Sequence, residues 1–131
     1  MTSMVIIGAG PGGYEAASVA AAGGVEVTVV EETGIGGAAV LTDCVPSKTL
    51  IATAEVTSTL RRAAELGLRH TETFEVDLDA VNFRVRQLAQ AQSDDISRGL
   101  ERKGVRLISG RARLATGAPG HLHRVVINDD E

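Results

Sequence analysis

The chain has 131 residues, 44% of them hydrophobic and 23% charged, which fits one globular domain of ordinary size and excludes a disordered segment. Its net charge of −4, with both signs mixed along the chain, excludes a basic nucleic-acid footprint. A single cysteine excludes an internal disulfide and suits a reducing compartment.

In chain order, the N-terminus lacks a charged segment followed by a long apolar run, so no signal peptide is read there. No apolar stretch nears the roughly 20 residues that span a bilayer, and a cytoplasmic location is expected. Aromatic residues are 2% of the chain, so the core must come from Val, Ile, Leu and Ala. Val5-Ile6-Ile7 ends at glycine and predicts a buried strand. Residues 14–22 are alanine-rich and predict a closely packed helix, stopped by Gly23-Gly24. Residues 25–30 are β-branched except for Glu26 and predict a second strand. Residues 33–37 read as a glycine loop. Pro46 suits the first turn of a helix, expected to run toward Leu66 and stop at Gly67, although several β-branched residues weaken it.

Val81, Val85, Leu88, Ile96 and Leu100 mark one face of a long amphipathic helix over residues 78–103, capped by Gly104. A third strand is expected over residues 105–109, and Arg113-Leu114-Ala115 starts a small antiparallel element. Residues 116–120 read as a turn, and residues 122–128 as a last strand that would lack partners and leave an exposed edge. The order of elements predicts an α/β fold with a parallel sheet.

Gly8-Ala9-Gly10-Pro11-Gly12-Gly13 matches G-x-G-x-x-G. The pattern alone is weak, and a plain turn is its rival. Here a strand precedes it, a helix follows, and a second strand ends in an acid about 20 residues on, as a dinucleotide site requires. Gly8 allows the tight turn. Gly10, with Pro11 and Gly12 in the same loop, lets the backbone approach a pyrophosphate. Gly13 allows close helix–strand contact, and Ala17 continues that small face. The helix N-terminus offers free N–H groups and partial positive charge to phosphates. Glu31 is placed to accept hydrogen bonds from a ribose diol and would repel a 2′-phosphate, so FAD or NAD is expected rather than NADP. Its competing reading is a solvated strand end, as for Glu32.

Gly36-Gly37, Cys44-Val45-Pro46-Ser47-Lys48, the glycine loop and Glu31 together resemble the class I pyridine nucleotide–disulfide oxidoreductases. The active segment of that family runs G-G-x-C-x-x-x-x-C-x-P-S-K, and this chain keeps it except for the first cysteine, replaced by Ala39. The resemblance extends to Gly110-Arg111-Ala112. It implies a Rossmann-like FAD-binding domain, with NAD(P)H as electron donor and a homodimer in the complete enzyme. With Ala39, no disulfide forms beside the flavin. The wording of the segment is similar to a quinone reductase branch, in which flavin passes electrons directly to a quinone-like acceptor. A dihydrolipoamide dehydrogenase-like disulfide reductase is the alternative. A non-catalytic nucleotide-binding module or inactive fragment is another.

The resemblance also implies residue roles. Cys44 would present a flavin-facing thiol, or else remain as a small buried residue. The positive end of a helix and Lys48 one turn away suit a reactive sulfur. Lys48 would lie near the flavin and stabilise negative charge on its reduced form, or else be a surface lysine. Gly36 and Gly37 would let the backbone pass the cofactor, or form a flexible loop. Ala112 would meet the adenine. Residues 1–131 read as the N-terminal part of an FAD-binding domain, without the NAD(P)H-binding and dimerisation domains. Weak FAD affinity and no NAD(P)H-driven turnover are expected of this chain alone. His70, His121 and His123 have no partners at ligand spacing and read as solvated, so no metal site is expected.

Overall fold

Val27, Val29 and Val30, each at most 1% exposed, lie at the centre of the fold. They sit on β2 (Glu26–Glu31), whose burial on both faces is what a parallel sheet imposes on its middle strand. Each buried valine contributes roughly 1.5–3 kcal/mol of burial free energy. The computed structural model describes residues 2–69, 75–115 and 123–128. Within them β2 pairs in parallel with β1 (Ser3–Ile7) on one side and β3 (Arg106–Ser109) on the other, in the order β1-β2-β3.

The crossover from β1 to β2 is helix α1 (Pro11–Ala22). It begins at Pro11, three residues before the start expected from its alanine run. Pro11 occupies the first helical turn, where its fixed φ and missing N–H cost nothing, and so draws Gly12 and Gly13 into the helix. Ala17 is fully buried, and Tyr14 packs on the same core. In the crossover from β2 to β3 the described elements are helical: α2 (Gly37–Leu41), α3 (Cys44–Arg61), a 3-10 turn (Ala63–Leu66) and α4 (Leu78–Arg102). Gly67 caps the 3-10 turn at φ +76°, the predicted stop. Thr49, Thr53 and Thr57 each donate a side-chain hydrogen bond to the carbonyl four residues back, within α3.

Asp77 caps α4 by accepting from the Ala80 amide at 2.9 Å. The inward face of α4 runs through Ala89, Ser93 and Leu100. Leu88, assigned to that face from the periodicity, is 40% exposed. A helix turn is 3.6 residues, so the stripe continues from Val85 to Ala89 and leaves Leu88 outside it.

Two edges depart from expectation. β1 is not buried: it is the outer strand of the described sheet, with Met4, Val5 and Ile7 each 42–47% exposed. The last strand is not unpartnered. β5 (Val125–Ile127) pairs antiparallel with β4 (Ala112–Leu114) in a separate two-stranded sheet. The turn expected over residues 116–120 and the histidines 70 and 121 lie outside the described residues. Among the described residues, no helix is long and apolar enough to cross a membrane.

Candidate dinucleotide site

The carboxyl ends of all three parallel strands meet at one place. Gly8 N–H donates to the Val30 carbonyl at 2.8 Å, and Gly110 N–H donates to the Glu31 carbonyl at 2.9 Å. Open α/β sheets take their ligands at such strand ends.

The glycine loop divides by the reason each glycine is there. A Cβ on Gly13 would stand 1.9 Å from the Gly8 carbonyl oxygen, so that position is closed by the protein itself. Gly8 holds φ +97°, a left-handed turn that side chains rarely adopt. Gly10 and Gly12 differ from both: a Cβ on either would meet nothing within 4 Å, and neither has a positive φ. No neighbouring atom of the chain requires them to be small. They border open space at the N-terminus of α1, where a phosphate group can lie against backbone N–H groups. Pro11 forms the rim beside them and is exposed.

The second glycine pair comes to the same place. A Cβ on Gly37 would approach the Gly10 Cα to 3.0 Å, and Gly36 N–H donates to the Ala9 carbonyl at 2.8 Å. Gly36 and Gly37 therefore form an ordered turn against the first loop, with φ +98° and +59°. Gly37 opens α2, a helix not legible in the glycine-rich sequence.

Glu31 holds this junction. Its Oε2 accepts from the Ala9 amide at 2.7 Å. Its Oε1 accepts from the Thr33 amide and the Thr33 hydroxyl, both at 2.8 Å, and from the Gly34 amide at 3.4 Å. Burial pushes the Glu31 carboxyl up, but the donors on Ala9, Thr33 and Gly34 outweigh it and bring it below its ordinary value. The carboxylate is thus engaged by the chain, and Oε2, with one bond, retains a lone pair. Thr33 joins the site through its two bonds to Glu31, and nothing in the local sequence pattern marks it. Glu32 is exposed and lies 4.0 Å from Arg111 Nε.

A cavity of about 300 Å³ opens beside Glu31, lined also by Gly34, Ile35 and Leu107. Ala112 lies on β4 and borders a second cavity of about 350 Å³ with Arg111, Arg113, Val126 and Asn128. Asn128, at φ +52°, closes that loop: its side-chain oxygen accepts from the Arg111 amide at 2.9 Å, and its own amide donates to the Arg111 carbonyl at 2.9 Å.

Cys44 is the first residue of α3 and is exposed among the described residues. Lys48 is exposed one turn on. The Thr42 and Asp43 amides both donate to the Ala38 carbonyl, at 3.0 and 2.8 Å, so the chain doubles back between Ala39 and Cys44. Among the described residues, no group of three His, Cys, Asp or Glu side chains is arranged to hold a metal ion.

The geometry agrees with comparison to known proteins. Residues 2–126 match the pyridine nucleotide-disulphide oxidoreductase family model. A quinone-type NAD(P)H dehydrogenase of Mycobacterium tuberculosis is 48% identical over 124 residues, covering 92% of this chain and 25% of that protein. A dihydrolipoyl dehydrogenase of Chlamydia muridarum is 36% identical over 110 residues, covering 84% of this chain and 23% of that protein. The crystal structure of LpdA from Mycobacterium tuberculosis superposes with a TM-score of 0.89 at 45% identity, over 100% of this chain and 29% of that one. The chain thus spans about a quarter of the length of the curated relatives it matches. Members of the family bind FAD and use NAD(P)H. On its loops, its sheet and its match over residues 2–126, the chain belongs to the pyridine nucleotide-disulphide oxidoreductase family.

Proposed function

We propose that this chain is the FAD-binding portion of an NAD(P)H-dependent flavoprotein oxidoreductase that delivers electrons to a quinone-type acceptor without a redox disulfide. The observation that carries the reading is the open space at Gly10 and Gly12, faced by Gly37 at the strand ends. These glycines leave room for a ligand backbone, and the α1 N-terminus supplies donors for its phosphates.

When bound, FAD supplies the two-electron redox chemistry of the site. The residues of the chain bind and orient it. Gly10, Pro11 and Gly12 would line the pyrophosphate, while Gly8 turns the loop and Gly13 seats it closely against the chain. Glu31 offers the free lone pair of Oε2 to a ribose hydroxyl while its other bonds keep the loops in place. Gly36 and Gly37 would let the backbone pass the cofactor, and Ala112 would border the adenine. Lys48 supplies a cation, and Cys44 an exposed thiol, at the start of α3.

The acceptor follows from Ala39, which leaves Cys44 without the sulfur a disulfide relay needs. The name of the 48% identical relative supports a quinone. A disulfide-reductase reading draws on the dihydrolipoyl dehydrogenase relatives but requires a thiol from elsewhere. The complete protein is read as a cytoplasmic homodimer with NAD(P)H as donor.

The test is titration of the purified chain with FAD, followed by flavin absorbance and fluorescence. Saturable binding in the micromolar range, without NADH oxidation by the chain alone, is expected. No saturable binding contradicts the reading.

A further inference from the structure

Ser93 is the buried polar side chain of the described core, 5% exposed on the inward face of α4. A serine inside a helix commonly bonds to its own helix, as Ser97 does by donating to the Ser93 carbonyl at 2.9 Å. Ser93 instead reaches off its helix and donates to the Ile35 carbonyl at 2.6 Å.

That carbonyl belongs to the same peptide group as the Gly36 amide. The Gly36 N–H donates to the Ala9 carbonyl, inside the first glycine loop, at 2.8 Å. One peptide plane is therefore held at both ends, by α4 through Ser93 and by the dinucleotide loop through Ala9. The plane lies between Ile35 and Gly36, and Gly36, at φ +98°, is the flanking residue whose freedom would otherwise let it rotate. The Ala9 amide is in turn held by Glu31.

We propose that Ser93 is a positioning residue for the cofactor site: its hydroxyl fixes the Ile35–Gly36 peptide and so aligns Gly36 and Gly37 with the glycine loop. The proposal rests on the FAD reading above for its ligand, whereas the clamp is a property of the chain alone. Without the hydroxyl, the Ile35 carbonyl loses its partner in a part-buried setting, and the plane has one anchor instead of two.

The test compares Ser93→Ala, Ser93→Val and Ser93→Thr with the unmodified chain. Valine and threonine share a shape and differ in the hydroxyl. Amide hydrogen exchange at Gly36 is measured without ligand, and FAD affinity by flavin fluorescence. Loss of one hydrogen bond predicts roughly tenfold faster Gly36 exchange and roughly tenfold weaker FAD binding in the alanine and valine variants. Exchange at Val29 is expected to be unchanged, and threonine to restore both quantities. Wild-type exchange at Gly36 in the alanine and valine variants overturns the proposal, as does a threonine variant that behaves like valine. An unmodified chain that takes up no FAD overturns the cofactor reading, while Gly36 exchange still decides the clamp.

Discussion

The carboxylate of Glu31 accepts a hydrogen bond from the Ala9 amide at 2.7 Å, so the end of β2 holds the loop that follows β1. Three further donors, two from Thr33 and one from Gly34, use its other oxygen. Glu31 is therefore a structural post of the loop junction as well as a candidate ribose ligand. Glu31→Gln places an N–H where one of these donors now points. A loss of about 1–2 kcal/mol in unfolding free energy is expected, measured by urea denaturation.

The same contacts give a pH dependence with a defined sign. The folded Glu31 carboxyl lies below its ordinary value of 4.5, so the unfolded chain binds the proton more tightly. Its contribution to stability is fully present above the unfolded value and is lost as pH falls through the folded value. Unfolding midpoints measured from pH 6 down to about pH 3 should show a decline that Glu31→Gln flattens. An equal decline in the variant would assign the acid sensitivity to other carboxylates.

Gly13 and Gly12 are neighbours in α1 with opposite expectations. Gly13→Ala drives a Cβ to 1.9 Å from the Gly8 carbonyl oxygen and is expected to cost more than about 3 kcal/mol or prevent folding. Gly12→Ala meets open space in a helix and is expected to be neutral or stabilising by up to about 1 kcal/mol. Thermal unfolding of both variants reads the difference.

On the proposed reading, Ala39 is what separates this chain from a disulfide reductase. Because the Asp43 amide bonds back to the Ala38 carbonyl at 2.8 Å, the segment returns Cys44 toward α2. Ala39→Cys is expected to form an intrachain disulfide with Cys44 under mild oxidation, read as loss of titratable thiol and a mass decrease of about two hydrogens. Two persistently free thiols in the oxidised variant would show that the segment has lost the geometry of a redox pair.

Much of this architecture is legible from local chemistry. Glycines at turns, the β-branched run ending at Glu31 and the apolar stripe of α4 locate the sheet and the dinucleotide loop, because each is set by neighbours in sequence. What is not legible depends on distant partners. Nothing near Met4, Val5 and Ile7 signals that β1 lies at the edge of the described sheet. α2 hides behind Gly36 and Gly37, which weaken helix propensity yet allow the turn that starts it. Leu88 misleads because a periodicity drawn through large residues passes over the small Ala89 that is buried. Ser93 is invisible for a similar reason: a serine in a helix carries no sign of a carbonyl 58 residues away.

In the proposed function, the glycine loop is shaped for a flavin dinucleotide rather than for packing within the chain. Gly10 tests it most directly, because its φ of −65° suits any residue and its Cβ position is open. FAD titration of Gly10→Ala beside the unmodified chain, with thermal unfolding of both, is the decisive measurement. Unfolding midpoints within a few degrees and FAD affinity at least about tenfold weaker in the variant are expected. Equal FAD affinity in the two chains would contradict it.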